Sequence, residues 1–203
     1  MHATVHTIDG IPGPQDTSWV DEVLTALRAA ATPVGALITR PLGPGPGCVI
    51  ALWDNAAAAA AVTAGFGSTG STGSVTVGPS RSYEVESRRA GVSIEPAHYL
   101  QMLVFEGPRS PEWSAAYARA GEQRIWPAVR DLPGLVEHVG GTAADGAVFS
   151  ATLAQSAEAL EASGGAIMST ELLPGEDPAH LTGPDSFSIL RLLHADLPVG
   201  ASR

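Results

Sequence analysis

His138 is the residue in this chain best placed by type and neighbours to move a proton. It lies in Leu135-Val-Glu-His-Val139, which reads as a strand, and alternation sets His138 and Glu137 on opposite faces, so that one of them points inward. An imidazole titrating near pH 6.5 in such a place is a general base for a phenol or an enol, and a solvated surface histidine is the competing reading. Arg191 interrupts an otherwise apolar run and shares a face with Phe187, Ile189 and Leu193. A guanidinium taken out of water there needs an anionic or carbonyl partner, either a substrate oxyanion or an internal acid such as Glu137. His138 and Arg191 are therefore the candidate catalytic residues. Tyr117 and Trp126 fall on one long predicted helix with Trp113, Arg124 and Arg130, and would line an aromatic site for a flat ligand. Phe149 completes the candidate binding set. Ordinary core packing is the alternative, strongest for Trp113.

The remaining chemistry-bearing residues exclude several classes. None of the six histidines stands at His-x-x-x-His or Glu-x-x-His spacing on a predicted helix, so no zinc or di-iron site is expected. His2 and His6 share a strand face with Thr4, either toward a cavity or as polar residues of an end strand. Cys48, the single cysteine, sits in an apolar run and reads as a buried core residue. No Gly-x-Gly-x-x-Gly opens a helix and no Gly-x-Ser-x-Gly occurs, which removes nucleotide-binding and hydrolase readings.

A formal charge of −10, from 21 acidic against 11 basic residues, excludes a phosphate-backbone partner that would require a basic stripe. The segment Met1-His-Ala-Thr-Val-His6 lacks the basic-then-apolar pattern of a signal peptide, and no run of about 18 apolar residues is present to span a bilayer. A soluble, cytoplasmic protein is expected, with a small molecule as partner and neither nucleic acid nor membrane.

The elements that must position these residues occur twice. Ala3–Gly10 and Leu100–Gly107 each read as a strand ending in an acid and Gly. A helix follows each, capped among Asp16, Thr17 and Ser18 in one case and by Ser110-Pro111 in the other, both with Trp in the first turn. Paired strands come next, Ala36–Arg40 with Cys48–Trp53 and Leu135–Val139 with Ala147–Thr152. Alanine-rich helices over 55–64 and 156–162 lead into low-complexity loops, 65–74 and 164–183. Gly78-Pro79 and Gly183-Pro184 then precede last strands, Ser82–Ser87 and Ser186–Leu193. The order is βαββαβ twice, an α+β chain of tandem ferredoxin-like repeats over 1–90 and 97–199, with antiparallel sheets packed as an α/β barrel. Each sheet has a second apolar face, as in Leu100, Met102 and Val104, that the other repeat would cover. The chain is thus read as a pseudo-dimer with 90–97 as tether, free to form a further homodimer. Glu84, Glu86, Arg88 and Arg89 read most simply as a solvated edge strand.

Val49-Ile-Ala-Leu-Trp53-Asp54-Asn55 followed by alanines resembles the antibiotic biosynthesis monooxygenase group of the dimeric α/β barrel superfamily. In the second repeat the resemblance runs through Leu132-Pro133-Gly134-Leu135, Asp145-Gly146 and Gln155–Ala159, with Ala154 where the family has Trp. It implies a quinone-forming oxygenase that needs no metal or flavin, in which a Trp, an Asn before it, and a Tyr and Arg on the next helix act on a phenolic substrate. Trp53 matches that Trp, whereas the Asn position holds Val49 and Ser150 and the Tyr position Ala59 and Leu160. Three readings follow: a cofactor-independent tailoring oxygenase for an aromatic or polyketide-like molecule, a barrel that only binds a ligand or partner, and a haem-binding barrel, since some relatives bind haem through His. The second repeat, with its longer helix, His138 and Arg191, is the expected working copy.

Overall fold

The computed structural model describes residues 1–66 and 74–197. The element order is β1 (His2–Asp9), α1 (Ser18–Ala30), β2 (Gly35–Pro41), β3 (Gly47–Trp53), α2 (Ala56–Gly65), β4 (Thr76–Ala90), β5 (Tyr99–Phe105), α3 (Pro111–Ala120), α4 (Trp126–Val129), β6 (Leu135–Thr142), β7 (Val148–Ala154), α5 (Ala157–Met168) and β8 (Ser186–Asp196). A π-helical turn, Gly121–Ile125, joins α3 to α4, and a 3₁₀ turn, Pro178–His180, precedes β8. The chain is α+β, and its eight strands follow the hydrogen-bonded order β1-β3-β2-β8-β5-β7-β6-β4 of a closed antiparallel barrel. Over the described residues it divides into two compact units, 1–86 with 189–197 and 87–188. No helix among the described residues is long and apolar enough to cross a membrane.

In the first unit the apolar residues of α1 recur at helical spacing, and Trp19, Val20, Val23, Leu24 and Leu27 are all buried. All seven residues of β3 are buried as well, as expected of a strand covered on both faces. Trp19, Val49, Ala51, Trp53 and Val62 meet in one core against these elements. Asn55 caps α2 by accepting from the Ala58 N–H at 3.0 Å, which lets a nearly pure alanine segment start as a helix. Strand β4 begins six residues earlier than the sequence pattern predicts, because the β1–β4 register shifts between His6 and Ile8 and the resulting bulge takes in Gly78-Pro79. Proline cannot donate to a ladder and is accepted at such a bulge, while a Cβ on Gly78 would fall 2.2 Å from the Thr7 hydroxyl. The expected edge strand is corrected accordingly: the four charged residues belong to a strand inside the closed order. The predicted loop at 65–74 lies mostly outside the described residues.

In the second unit β7 pairs with both β5 and β6. Ser110 caps α3 by accepting from the Trp113 N–H at 3.1 Å, with Pro111 in the first turn where its missing N–H costs nothing. The long predicted helix is not uniform. Pro127 has no N–H to give to the carbonyl four residues back, and the backbone widens, so that the Trp126 N–H reaches the Gly121 carbonyl five residues back. Helix α5 runs on to Met168 through Gly164 and Gly165, shortening the predicted loop. Here packing overrides the weak helix propensity of glycine.

Candidate functional site

Ser150 and Thr152 stand two residues apart on β7 and so face the same side. In register, Ser150 is flanked by Leu103 on β5 and Gly140 on β6, and Thr152 by Gln101 and His138. Helix α3 sets Tyr117 over this row, where its hydroxyl is in hydrogen-bond contact with Ser150, and burial lifts the phenol to about 12. Tyr117 is fixed from its other sides by stacking on Trp113 at 5.1 Å and by an edge contact with Phe105 at 5.0 Å. One ladder step along, the His138 Nδ1 lies 3.4 Å from the Thr152 hydroxyl, and Trp126 covers the imidazole with ring centroids 6.3 Å apart. The π turn separates Tyr117 from Trp126, and Tyr117 lies over Ser150 on β7 while Trp126 lies over His138 on β6.

The electrostatics follow from this placement. Burial holds His138 well below its ordinary value, at about 4, and the Arg89 guanidinium adds to the shift. His138 is neutral at pH 7 and able to accept a proton. Arg89 lies over Trp126, its carbon 5.5 Å from the ring centroid, and pairs with Glu122 of the π turn. A Cβ at Gly140 would come 3.2 Å from His138 Nε2 and 2.9 Å from the Ser87 hydroxyl, so the absent side chain is what leaves room beside the imidazole.

Of the residues singled out by sequence, His138, Trp126 and Tyr117 are brought to one face of the second unit. Phe149 is not: it is completely buried on the opposite face of β7. Trp53 is sealed in the core of the first unit, its Nε1 donating to the Thr4 hydroxyl at 3.1 Å. Arg191 corrects the expectation of a desolvated guanidinium, because its residue on β8 is exposed where the strand turns that face to water. Phe187 on the same strand is 58% exposed. Glu137 pairs with Arg88 instead, both side chains being largely buried. Arg89, Ser150, Thr152 and Gly140 were not singled out as site residues. Arg89 looked like half of a charged doublet, and only the alternation that sends Arg88 to Glu137 and Arg89 to the indole pointed to it.

His6 is the second buried imidazole. It is fully enclosed, edge-on to Phe66 at 4.9 Å, and neither ring nitrogen has a hydrogen-bond partner. Burial lowers it to about 4, with the Gly78 backbone opposing. Cys48 is buried, with Thr39 Oγ1 accepting from its N–H at 2.9 Å, and its thiol is pushed up to about 11. Among the described residues no group of three His, Cys, Asp or Glu is arranged to hold a metal ion. His6 does not fit an axial haem ligand, because core side chains wall it in.

No protein-family model and no curated protein matches the chain. Solved structures do. An anthrone oxidase-like protein superposes with a TM-score of 0.61 at 15% identity, over 96% of this chain and 92% of that one. A Fusobacterium nucleatum protein assigned as a monooxygenase gives 0.58 at 9% identity, over 97% and 93%. A mutant chlorite dismutase from Candidatus Nitrospira defluvii gives 0.59 at 11% identity, over 94% and 90%. These likenesses establish the fold alone, an α+β chain whose eight strands follow a closed barrel order.

Proposed function

We propose that the chain is a monooxygenase-like enzyme that oxidises a small aromatic molecule against the helix-covered face of the second unit, with His138 as the base. The observation that carries the reading is a neutral, half-buried imidazole anchored by Thr152 and covered by an indole. On an anthrone-type substrate His138 would remove a proton from the activated methylene, leaving an anion that gives electrons to O₂. One oxygen atom enters the ring as a carbonyl, and the other leaves as water with the two methylene hydrogens. His138 returns its proton to that water, so the base is regenerated. Trp126 would lie along the flat substrate, and the Tyr117–Ser150 pair, whose phenol stays protonated, would offer a hydrogen bond to its oxygen substituents. The anthrone oxidase-like neighbour motivates the choice of substrate type.

The reading treats 1–90 and 97–199 as copies of one unit, with the chemistry in the second. The sealed surroundings of Trp53 and His6 support a structural role for the first. No role is assigned to Arg191. The test is oxygen uptake with 1,8-dihydroxyanthrone and His138→Ala. Loss of about 10²-fold or more in turnover is expected for a general base. Turnover unchanged by the substitution, or none by the wild type, overturns the assignment and leaves a ligand-binding barrel.

A further inference from the structure

The arginines of the second unit differ in how firmly they are engaged. Arg88 is paired with Glu137, their side chains only 11% and 13% exposed. Arg124 is tied to Glu176, 2% exposed, at 3.1 Å and to the Thr170 hydroxyl at 2.8 Å. Glu176 in turn accepts the Leu173 N–H, so that carboxylate is fixed in place. Arg89, beside His138, is held more loosely than these two: its partner, Glu122, is 64% exposed on the π turn. An ion pair so open to water is weak and its loss costs little, whereas the cation–π seat of Arg89 on Trp126 does not depend on Glu122.

We propose that Arg89 is a carboxylate-recognition residue, that Glu122 holds its place when no ligand is bound, and that the ligand is a planar aromatic acid whose carboxylate displaces Glu122. The inference rests on the reading that a small molecule occupies this face, and it names the class of that molecule. A guanidinium accepts a carboxylate through two parallel N–H donors, and the indole beneath it supplies a flat apolar surface at the same point. A ring lying against Trp126 with its acid group on Arg89 is led toward His138, whose imidazole is the next ring along. Because the chain carries a formal charge of −10, an anion finds little general attraction and needs a local cation whose own partner yields. The exposed Glu122 provides that yielding partner, and the buried Glu137 and Glu176 do not.

The experiment is calorimetric titration of the full chain with 2-naphthoate and, as its neutral counterpart, 2-naphthol. The wild type is expected to bind naphthoate at least about tenfold more tightly than naphthol, the scale of charge-assisted hydrogen bonds. Glu122→Gln, at an exposed position, removes the competing carboxylate and is expected to tighten naphthoate about two- to fivefold while leaving naphthol unchanged. Arg89→Gln is expected to abolish the preference for the acid, with Arg89→Lys restoring part of it. Equal binding of the two probes, no saturable binding of naphthoate, or weaker naphthoate binding in Glu122→Gln overturns the inference. Failure here is separable from failure of the oxygenase reading: His138-dependent turnover of the anthrone without acid preference sinks only the acid, and acid preference without turnover sinks only the chemistry.

Discussion

The rings of Trp126 and His138 lie 6.3 Å apart, inclined at 40°, although twelve residues and a break in helix type separate them in sequence. The π turn supplies the contact. By adding one residue to the helical repeat ahead of Pro127 it changes the direction in which Trp126 projects, while β6 and β7 hold His138 against Thr152. A neutral imidazole in a partly apolar setting is the result, and most of the behaviour expected of this protein follows from it.

Both imidazoles, His6 fully enclosed and His138 half-buried, make stability pH-dependent in the same direction. Their folded pKa values, about 4, lie below the usual 6.5, so the unfolded chain binds more protons between these limits. The stabilisation is fully present above pH 6.5 and is lost as the pH falls through 4. Urea midpoints measured from pH 7 to pH 4 should fall by the equivalent of a few kcal/mol. Turnover, if it depends on His138, should be flat over pH 5 to 7 and drop only as pH approaches 4.

Replacing His6 isolates one half of that slope. Its ring nitrogens are buried without partners, so His6→Leu removes an unsatisfied polar group and fills the space with a side chain of similar volume. The variant should be neutral to about 1 kcal/mol more stable at pH 7 and show roughly half the acid slope. Loss of more than about 2 kcal/mol would mean that the ring nitrogens are satisfied in the folded protein.

Gly140→Ala should disturb His138 without touching its hydrogen bond to Thr152. The added methyl meets Nε2 and the Ser87 hydroxyl, and the strand must shift by a few tenths of an ångström. A stability loss of about 1–3 kcal/mol is expected, together with a moved His138 imidazole resonance in the NMR spectrum. An unmoved resonance would place the imidazole away from Gly140.

The Arg88–Glu137 pair should behave as a largely buried ion pair. Arg88→Met strands the carboxylate and should cost about 2–4 kcal/mol in urea unfolding, while adding Glu137→Leu should recover most of the loss. Additive losses in the double variant would contradict the pairing.

Trp53→Phe should lower stability by about 1–3 kcal/mol, through the lost Thr4 hydrogen bond and the space left in a tightly packed core. Anthrone turnover by the folded variant should be unchanged, because Trp53 is fully enclosed. Loss of turnover at unchanged Tm would return the active role to the first repeat.

The amino-acid sequence by itself determined the α+β class, the order of the strands and the main helices, and the position of His138 on a strand. Those properties are local: alternating apolar residues, caps such as Asn55 and Ser110, and Gly-Pro or Asp-Gly turns act over a few residues and are written in the chain. The tertiary structure alone decided which polar residues were buried and with what partners. Arg88, Arg89 and Arg191 are alike in sequence, yet Arg88 is buried against a carboxylate, Arg89 lies over an indole and Arg191 is exposed on β8. Trp53 carried the family-like motif and became core, while Trp126 followed a proline-induced π turn to His138. Burial and partner choice depend on strands and helices far apart in sequence packing together, and no short-range pattern encodes which side chain will lie across the sheet.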